Sequence, residues 1–158
     1  MVYIGIGSNL GNRIRNIENS KYFLNFYGIG IVRSSSYYET LSWPDPTKPK
    51  FINIVVQSNT KFSPKKLIKI FKIIENKLGR IKSFRNSPRT CDIDLISYRN
   101  MIISNNISIP HKRMMKRNFV LLPLFEVAPY WMHPKNKKSI KKLIFSLPIK
   151  DIRSIKQI

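Results

Sequence analysis

The sequence predicts an α+β fold, with two helices packed on one face of an antiparallel sheet. Three observations carry this expectation. Short runs rich in β-branched and apolar residues recur at Val2–Ile6, Ile29–Tyr38, Phe51–Asn59 and Thr90–Tyr98. Two longer segments between them repeat apolar residues at helical spacing. The resulting order (strand, helix, strand, strand, helix, strand) is the split βαβ pattern of a ferredoxin-like sandwich, whose second sheet face is expected to support a site.

Each element has a local reason. The first strand runs into Gly7-Ser8-Asn9, read as a turn. Asn12 to Tyr27 carries Ile14, Ile17, Phe23, Leu24 and Tyr27 on a helical repeat, and Gly28 is the stop. Pro44, Pro46 and Pro49 forbid regular structure between Leu41 and Lys50. Ser63-Pro64 combines an N-cap serine with proline at the first helical position. Leu67, Ile70, Phe71, Ile74 and Leu78 follow as the buried stripe, and Gly79 ends it. A basic loop is expected from Arg80 to Pro88. Beyond the fourth strand come a hairpin at Met101–Ile109, a short helix at Asn118–Val127 and an amphipathic piece at Ile140–Phe145.

Composition narrows the class. The 158 residues suit one domain spanning residues 1 to 158. The single cysteine, Cys91, excludes an intramolecular disulfide and a cysteine-built zinc site. No basic leader or long apolar run is visible, so a cytoplasmic protein without a membrane partner is expected. The net charge of +21 points toward nucleic acid or an anionic surface. Lysine, isoleucine and asparagine are abundant along the whole chain, however, as base-composition drift in an AT-rich genome would produce. A positive field also suits a phosphate-rich substrate.

Arg89-Thr90-Cys91-Asp92-Ile93-Asp94-Leu95 is the strongest constellation. Residues two apart in a strand share a face, so Asp92 and Asp94 present two carboxylates about 7 Å apart along the strand. Two ionised carboxylates side by side raise each other's pKa unless a cation sits between them. Hard oxygen donors suit magnesium, especially beside phosphates. Spacing alone leaves open a solvated strand face. Arg80, Lys82, Arg85 and Arg89 lie in the preceding loop, where cations would stabilise charge on a transferred phosphoryl group. His111 heads a basic run through Lys112, Arg113, Lys116 and Arg117, read either as a phosphate-binding edge or as structural. Phe51, Asn53 and Phe119 could stack and read a flat heterocycle, or the two rings could belong to the core. His133 is expected on the surface and uninvolved. Gly5-Ile-Gly7-Ser-Asn-Leu-Gly11 has the wrong spacing for a dinucleotide fingerprint and is read as a tight turn.

Taken together, these segments resemble the 6-hydroxymethyl-7,8-dihydropterin pyrophosphokinase family over nearly the whole chain. The matching stretches are Ile6 to Gly11, Ser36-Tyr-Tyr-Glu-Thr40, Phe51-Ile-Asn53, Glu75 with Leu78-Gly-Arg80, Pro88-Arg-Thr-Cys-Asp-Ile-Asp94, Ile109-Pro-His111, and Arg117 to Pro129. The resemblance implies transfer of pyrophosphate from ATP to the hydroxymethyl group of the pterin, with AMP released. It implies two magnesium ions on Asp92 and Asp94, and Arg80 and Arg89 in a catalytic loop. Lys82, His111 and Arg117 would contact ATP. The pterin would stack between Phe51 and Phe119, with its edge read by Asn53 and Thr40. Glu75 would orient its neighbours. No separate general base stands out, leaving Asp94 or metal activation to handle the hydroxyl proton. Leu41, Phe51, Asn86-Ser87 and Lys112 depart from the family's usual residues and bear on loop closure more than on the reaction. The partners expected are small molecules, with a monomeric chain and no nucleic acid. The competing reading is a basic nucleic-acid-binding module on the same fold, against which two carboxylates in a phosphate groove argue.

Overall fold

The computed structural model describes residues 1–80 and 87–158. The strands are β1 (Val2–Ser8), β2 (Gly30–Ser34), β3 (Tyr38–Thr40), β4 (Phe51–Asn59), β5 (Asp92–Tyr98) and β6 (Lys156–Gln157). The helices are α1 (Arg13–Phe26), α2 (Pro64–Lys77), α3 (Asn118–Val127), α4 (Ile140–Phe145) and α5 (Ile149–Arg153). The sheet order is β5-β1-β4-β3-β6, with β2 also on β4, and every pairing is antiparallel. This is the expected ferredoxin-like arrangement. No helix among the described residues is long and apolar enough to cross a membrane.

The helix boundaries follow from the residues read as signals. The Asn12 side chain accepts the Arg15 N–H at 3.0 Å and starts α1. Ser63 accepts from Lys66 N–H and Pro64 opens α2. Gly79 has φ +79°, which lets the Arg80 N–H turn back to Glu75 C=O at 3.0 Å. That closing turn also delivers the Arg80 side chain to the strand end of the molecule.

Strand alternation sorts the sheet into two faces. Ile4, Ile6, Ile52, Ile54, Val56, Ile93 and Leu95 are buried against α1 and α2 in the larger core. The opposite face carries a second core, in which Val55 and Ile96 pack with Val120, Leu121, Leu124, Ile140 and Leu143. On this second face α3 and α4 cover part of the sheet, and the pocket described below lies over the rest. Their apolar residues require burial, and only the stretch beyond the start of α3 stays accessible.

Three expectations change. The single strand at Ile29–Tyr38 is split, because Ser35 steps out of the ladder. Its N–H donates to Val55 C=O at 3.0 Å, and its hydroxyl accepts the Val55 N–H at 3.0 Å. The hairpin at Met101–Ile109 reduces to one antiparallel bridge between Ile103 and Ile109. His133 is buried rather than on the surface, with its ring 5.8 Å from that of Trp131.

Candidate active site

The register explains how one pocket gathers residues far apart in the chain. On β1, Gly7 lies opposite Asp92 of β5 and Asn53 of β4, and Gly5 lies opposite Asp94 and Val55. Directly paired residues share a face. The two carboxylates and Asn53 therefore stand on either side of a strip that carries no side chain. The expected tight turn at Gly5 and Gly7 is corrected accordingly. Both glycines lie within β1, and the turn glycine with positive φ is Gly11, at +63°. A Cβ at Gly7 would come within 2.8 Å of Asn53 Oδ1, and one at Gly5 within 3.2 Å of Ile96 Cδ1. The alternation of Ile4 and Ile6 with Gly5 and Gly7 was the signal for this floor.

Above the floor is a cavity of about 680 Å³ lined by Thr40, Leu41, Trp43, Phe51, Asn53, Arg80, Arg89, Asp92, Asp94, His111, Arg113, Arg117 and Phe119, among others. Among the described residues, Thr40, Phe51, Asn53, Arg80, Arg89, Asp92, Asp94, His111, Arg117 and Phe119 reach it as expected, whereas Glu75, Lys112 and Lys116 do not. Lys82, with Arg85 and Asn86, lies outside the described residues.

The acidic half is strongly cross-linked. Arg80 Nη1 and Arg89 Nη1 both reach Asp92 Oδ1 at 3.0 Å. Glu75 holds Arg80 from behind and accepts the Ile93 N–H at 2.8 Å, so it supports both Arg80 and β5. Burial pushes its carboxyl up, and the nearby Asp92 and Asp94 add to this, against the Ile93 bond and Arg80. Asp94 Oδ2 faces Arg117 Nη1 at 3.3 Å and His111 Nε2 at 3.8 Å. Asp94 lies at the bottom of the concavity, reachable yet surrounded by protein. Loss of water and the Asp92 charge raise its pKa, against His111 and Arg117. His111 is lowered by burial and by Arg117 and Arg113, despite Asp94. Its Nδ1 accepts the Arg113 N–H at 3.3 Å, which assigns the proton of the neutral ring to Nε2, facing Asp94.

The opposite half is aromatic and amide. Asn53 Nδ2 donates to Thr40 Oγ1 at 3.1 Å. That contact fixes the amide orientation beside Phe51. Trp43, half exposed, lies with the Arg113 and Arg117 guanidinium groups 5.8 and 5.9 Å from its ring. Arg117 also lies 5.3 Å from the Phe119 ring. Among the described residues its buried Nε has no hydrogen-bond partner.

Several contributors were not visible in the sequence. Asn9 accepts the Arg89 N–H at 2.7 Å and donates to Pro49 C=O at 3.1 Å, tying the arginine segment to the proline-rich loop. Glu126 accepts from the Ser36 hydroxyl at 2.8 Å and the Tyr38 hydroxyl at 2.9 Å, joining α3 to β3. Trp43 gave no motif signal, whereas Arg113 belonged to the basic run read after His111.

Among the described residues, no cluster of three or more His, Cys, Asp or Glu side chains could hold a metal ion by itself. The carboxylate pair nonetheless suits a hard cation. Among the described residues, the ion-pair contacts of each carboxylate fall on one oxygen, Asp92 Oδ1 and Asp94 Oδ2. The other oxygens could then serve a hard cation beside phosphates.

The model of the 7,8-dihydro-6-hydroxymethylpterin-pyrophosphokinase family matches residues 3–129. The chain belongs to this family. A Synechocystis protein named as the 2-amino-4-hydroxy-6-hydroxymethyldihydropteridine pyrophosphokinase is 37% identical over 143 residues, covering 89% of this chain and 73% of the relative. An Aquifex aeolicus protein of the same name is 34% identical over 146 residues, covering 89% and 88%. The folic acid synthesis protein FOL1 of Dictyostelium discoideum is 38% identical over 150 residues, and the match spans 94% of this chain but 22% of that relative. A Plasmodium falciparum HPPK-DHPS crystal structure superimposes with a TM-score of 0.77 at 15% identity, over 99% of this chain and 47% of that one, which supports the fold alone.

Proposed function

We propose that the chain transfers pyrophosphate from ATP to the hydroxymethyl group of 6-hydroxymethyl-7,8-dihydropterin in folate biosynthesis. One observation carries this reading. A single pocket sets a carboxylate pair with four cationic side chains (Arg80, Arg89, Arg113 and Arg117) against an aromatic and amide half formed by Phe51, Phe119, Asn53 and Thr40. The first half suits a polyphosphate with magnesium, and the second suits a flat heterocycle with hydrogen-bonding edges.

In this reading the pterin stacks between Phe51 and Phe119, with Asn53 and the Thr40 region at its edge. Asp92 and Asp94 would hold two magnesium ions, which would supply positive charge beside the phosphates. Arg80 and Arg89 would turn from Asp92 toward the phosphates. Arg117 offers its Nε, and His111 offers its Nε2 proton. Lys82 joins the phosphate contacts by the family resemblance. The hydroxymethyl oxygen forms a bond to the β-phosphorus and gives up its proton to solvent, while the bond from that phosphorus to the α–β bridging oxygen breaks and AMP leaves with that oxygen. Catalysis is then positioning plus electrostatic stabilisation. The chain acts as one domain and as a monomeric cytoplasmic enzyme of small molecules, without nucleic acid.

The test is nucleotide analysis of a reaction containing protein, magnesium, ATP and the hydroxymethyl pterin. AMP release that requires both pterin and magnesium is expected. ADP as the nucleotide product would overturn attack at the β-phosphorus.

A further inference from the structure

The family match ends at residue 129, yet the last ten residues touch the structure that carries the pocket. Asn118 stands between Arg117 and Phe119, two pocket residues, at the start of α3. Its Nδ2 donates to Asp151 C=O at 2.5 Å and to Ser154 Oγ at 3.3 Å, and its Oδ1 accepts the Phe119 N–H at 2.7 Å. Three residues beyond Ser154 the chain is a strand on the opposite wall. There Gln157 pairs with Tyr38 and Lys156 with Glu39. Gln157 Nε2 donates to Ser36 Oγ at 3.0 Å, and the Ile158 N–H donates to Tyr37 C=O at 2.9 Å. That strand, β3, ends at Thr40 in the pocket.

The two ends of α3 are thus tied to β3 by different means. At the C-terminal end the tie is direct, through Glu126 to Ser36 and Tyr38. At the N-terminal end it runs through Asn118 and residues 149–158. This segment buries little. No residue of α5 is fully buried, Ile149 is 68% exposed and Ile158 is 51% exposed, and Ile152 alone packs against the second core. Its hydrogen bonds concentrate at Asn118 and at β3, so its removal should shift those two walls more than it destabilises the core.

We propose that residues 149–158 form a strap that sets the separation of the Arg117–Phe119 wall from the Thr40 wall, with Asn118 as the positioning residue through which it acts. This rests on the reading of the pocket as the pterin site. The strap lies behind both walls and touches no substrate. Its role is to keep the gap at the width of one ring system before the ligand arrives, which lowers the cost of binding.

The experiment uses the full chain and three changes: N118A, Q157A and deletion of residues 149–158. Pterin dissociation constants, KM, kcat and thermal midpoints are measured for each and for their combinations. N118A should raise the pterin dissociation constant and KM about fivefold, with kcat within about twofold. The deletion should do the same, and N118A in the shortened chain should add little further. If the shortened chain fails to fold, deletion of residues 156–158, which removes the main-chain pairing with β3, replaces it in the cycle with N118A, and Q157A reads the Ser36 side-chain tie alone. Unchanged pterin binding in N118A and in the deletion, or effects that simply multiply, would overturn the strap. A wild-type chain that binds pterin without producing AMP, with N118A still weakening that binding, overturns the reaction and keeps the strap. A wild-type chain that binds no pterin overturns both.

Discussion

The Asn9 side-chain oxygen accepts the backbone N–H of Arg89 at 2.7 Å, across 80 positions of sequence. The Asn9 N–H in turn donates to Arg89 C=O at 3.1 Å, and Asn9 Nδ2 reaches Pro49 C=O. Asn9 is buried, so all three groups depend on these bonds. Asn9→Ala keeps the main-chain bond and loses the two side-chain ones. The expected outcome is a thermal midpoint lower by about 2–6 °C and a kcat lower by about tenfold, because the backbone that carries Arg89 loosens. Differential scanning calorimetry and AMP release check the two parts, and an unchanged kcat would refute the positioning role.

Asp92 and Asp94 should not tolerate loss of charge. Asp92→Asn and Asp94→Asn are each expected to lower AMP release by at least about a hundredfold while circular dichroism stays native. Arg80→Ala should cost less stability than Glu75→Ala. Glu75→Ala leaves the Ile93 N–H without its partner, whereas Arg80 is one of two arginines on Asp92. Chemical denaturation ranks the two.

Gly7 and Gly5 should respond differently to a methyl group. A Cβ at Gly7 meets the Asn53 amide oxygen, whose position is set by the donation of the same amide's Nδ2 to Thr40 Oγ1, so Gly7→Ala is expected to raise the pterin KM by about tenfold or more. A Cβ at Gly5 meets the Ile96 side chain at 3.2 Å, a looser approach than the one at Gly7, so Gly5→Ala should be milder. Equal KM values for the two variants would contradict this account of the floor.

Cys91 should be chemically silent in the folded chain. It is buried behind Asp92, with its sulfur 3.1 Å from Ser20 Oγ. Burial pushes its thiol up to about 12, with Glu75 and Asp92 adding to the effect. The folded value lies above the unfolded one of 9.0, so the thiol's contribution to stability is fully present below 9 and is lost as pH rises toward 12. Iodoacetamide at pH 8 should label Cys91 only in denaturant, as mass spectrometry would reveal.

The sequence carried much of this, but unevenly. Asp92 and Asp94 were legible because strand alternation is a property of adjacent residues. The caps of α2 were legible for the same reason, with Gly79 read as its end. Asn9 was not, since its partners lie 40 and 80 positions away and only the folded register brings them to it. Ser35 interrupted the second strand because a hydroxyl that stands in for a ladder bond leaves no trace in an apolar pattern. The covered second face follows from α3, whose apolar residues were readable but whose docking side was not. Glu126 and Asn118 acquire their roles only once α3 has docked.

The floor formed by Gly5 and Gly7 has a consequence for inhibition. A compound lying flat on β1 would rest on peptide atoms rather than on side chains. Main-chain atoms do not change with a codon, and a methyl group at Gly7 strikes the Asn53 oxygen before it can strike a drug. Escape by blocking the floor would therefore damage the chain's own recognition of its substrate. Resistance would have to arise at the rim, at positions such as Trp43 and Leu41, where exposed side chains are freer to vary.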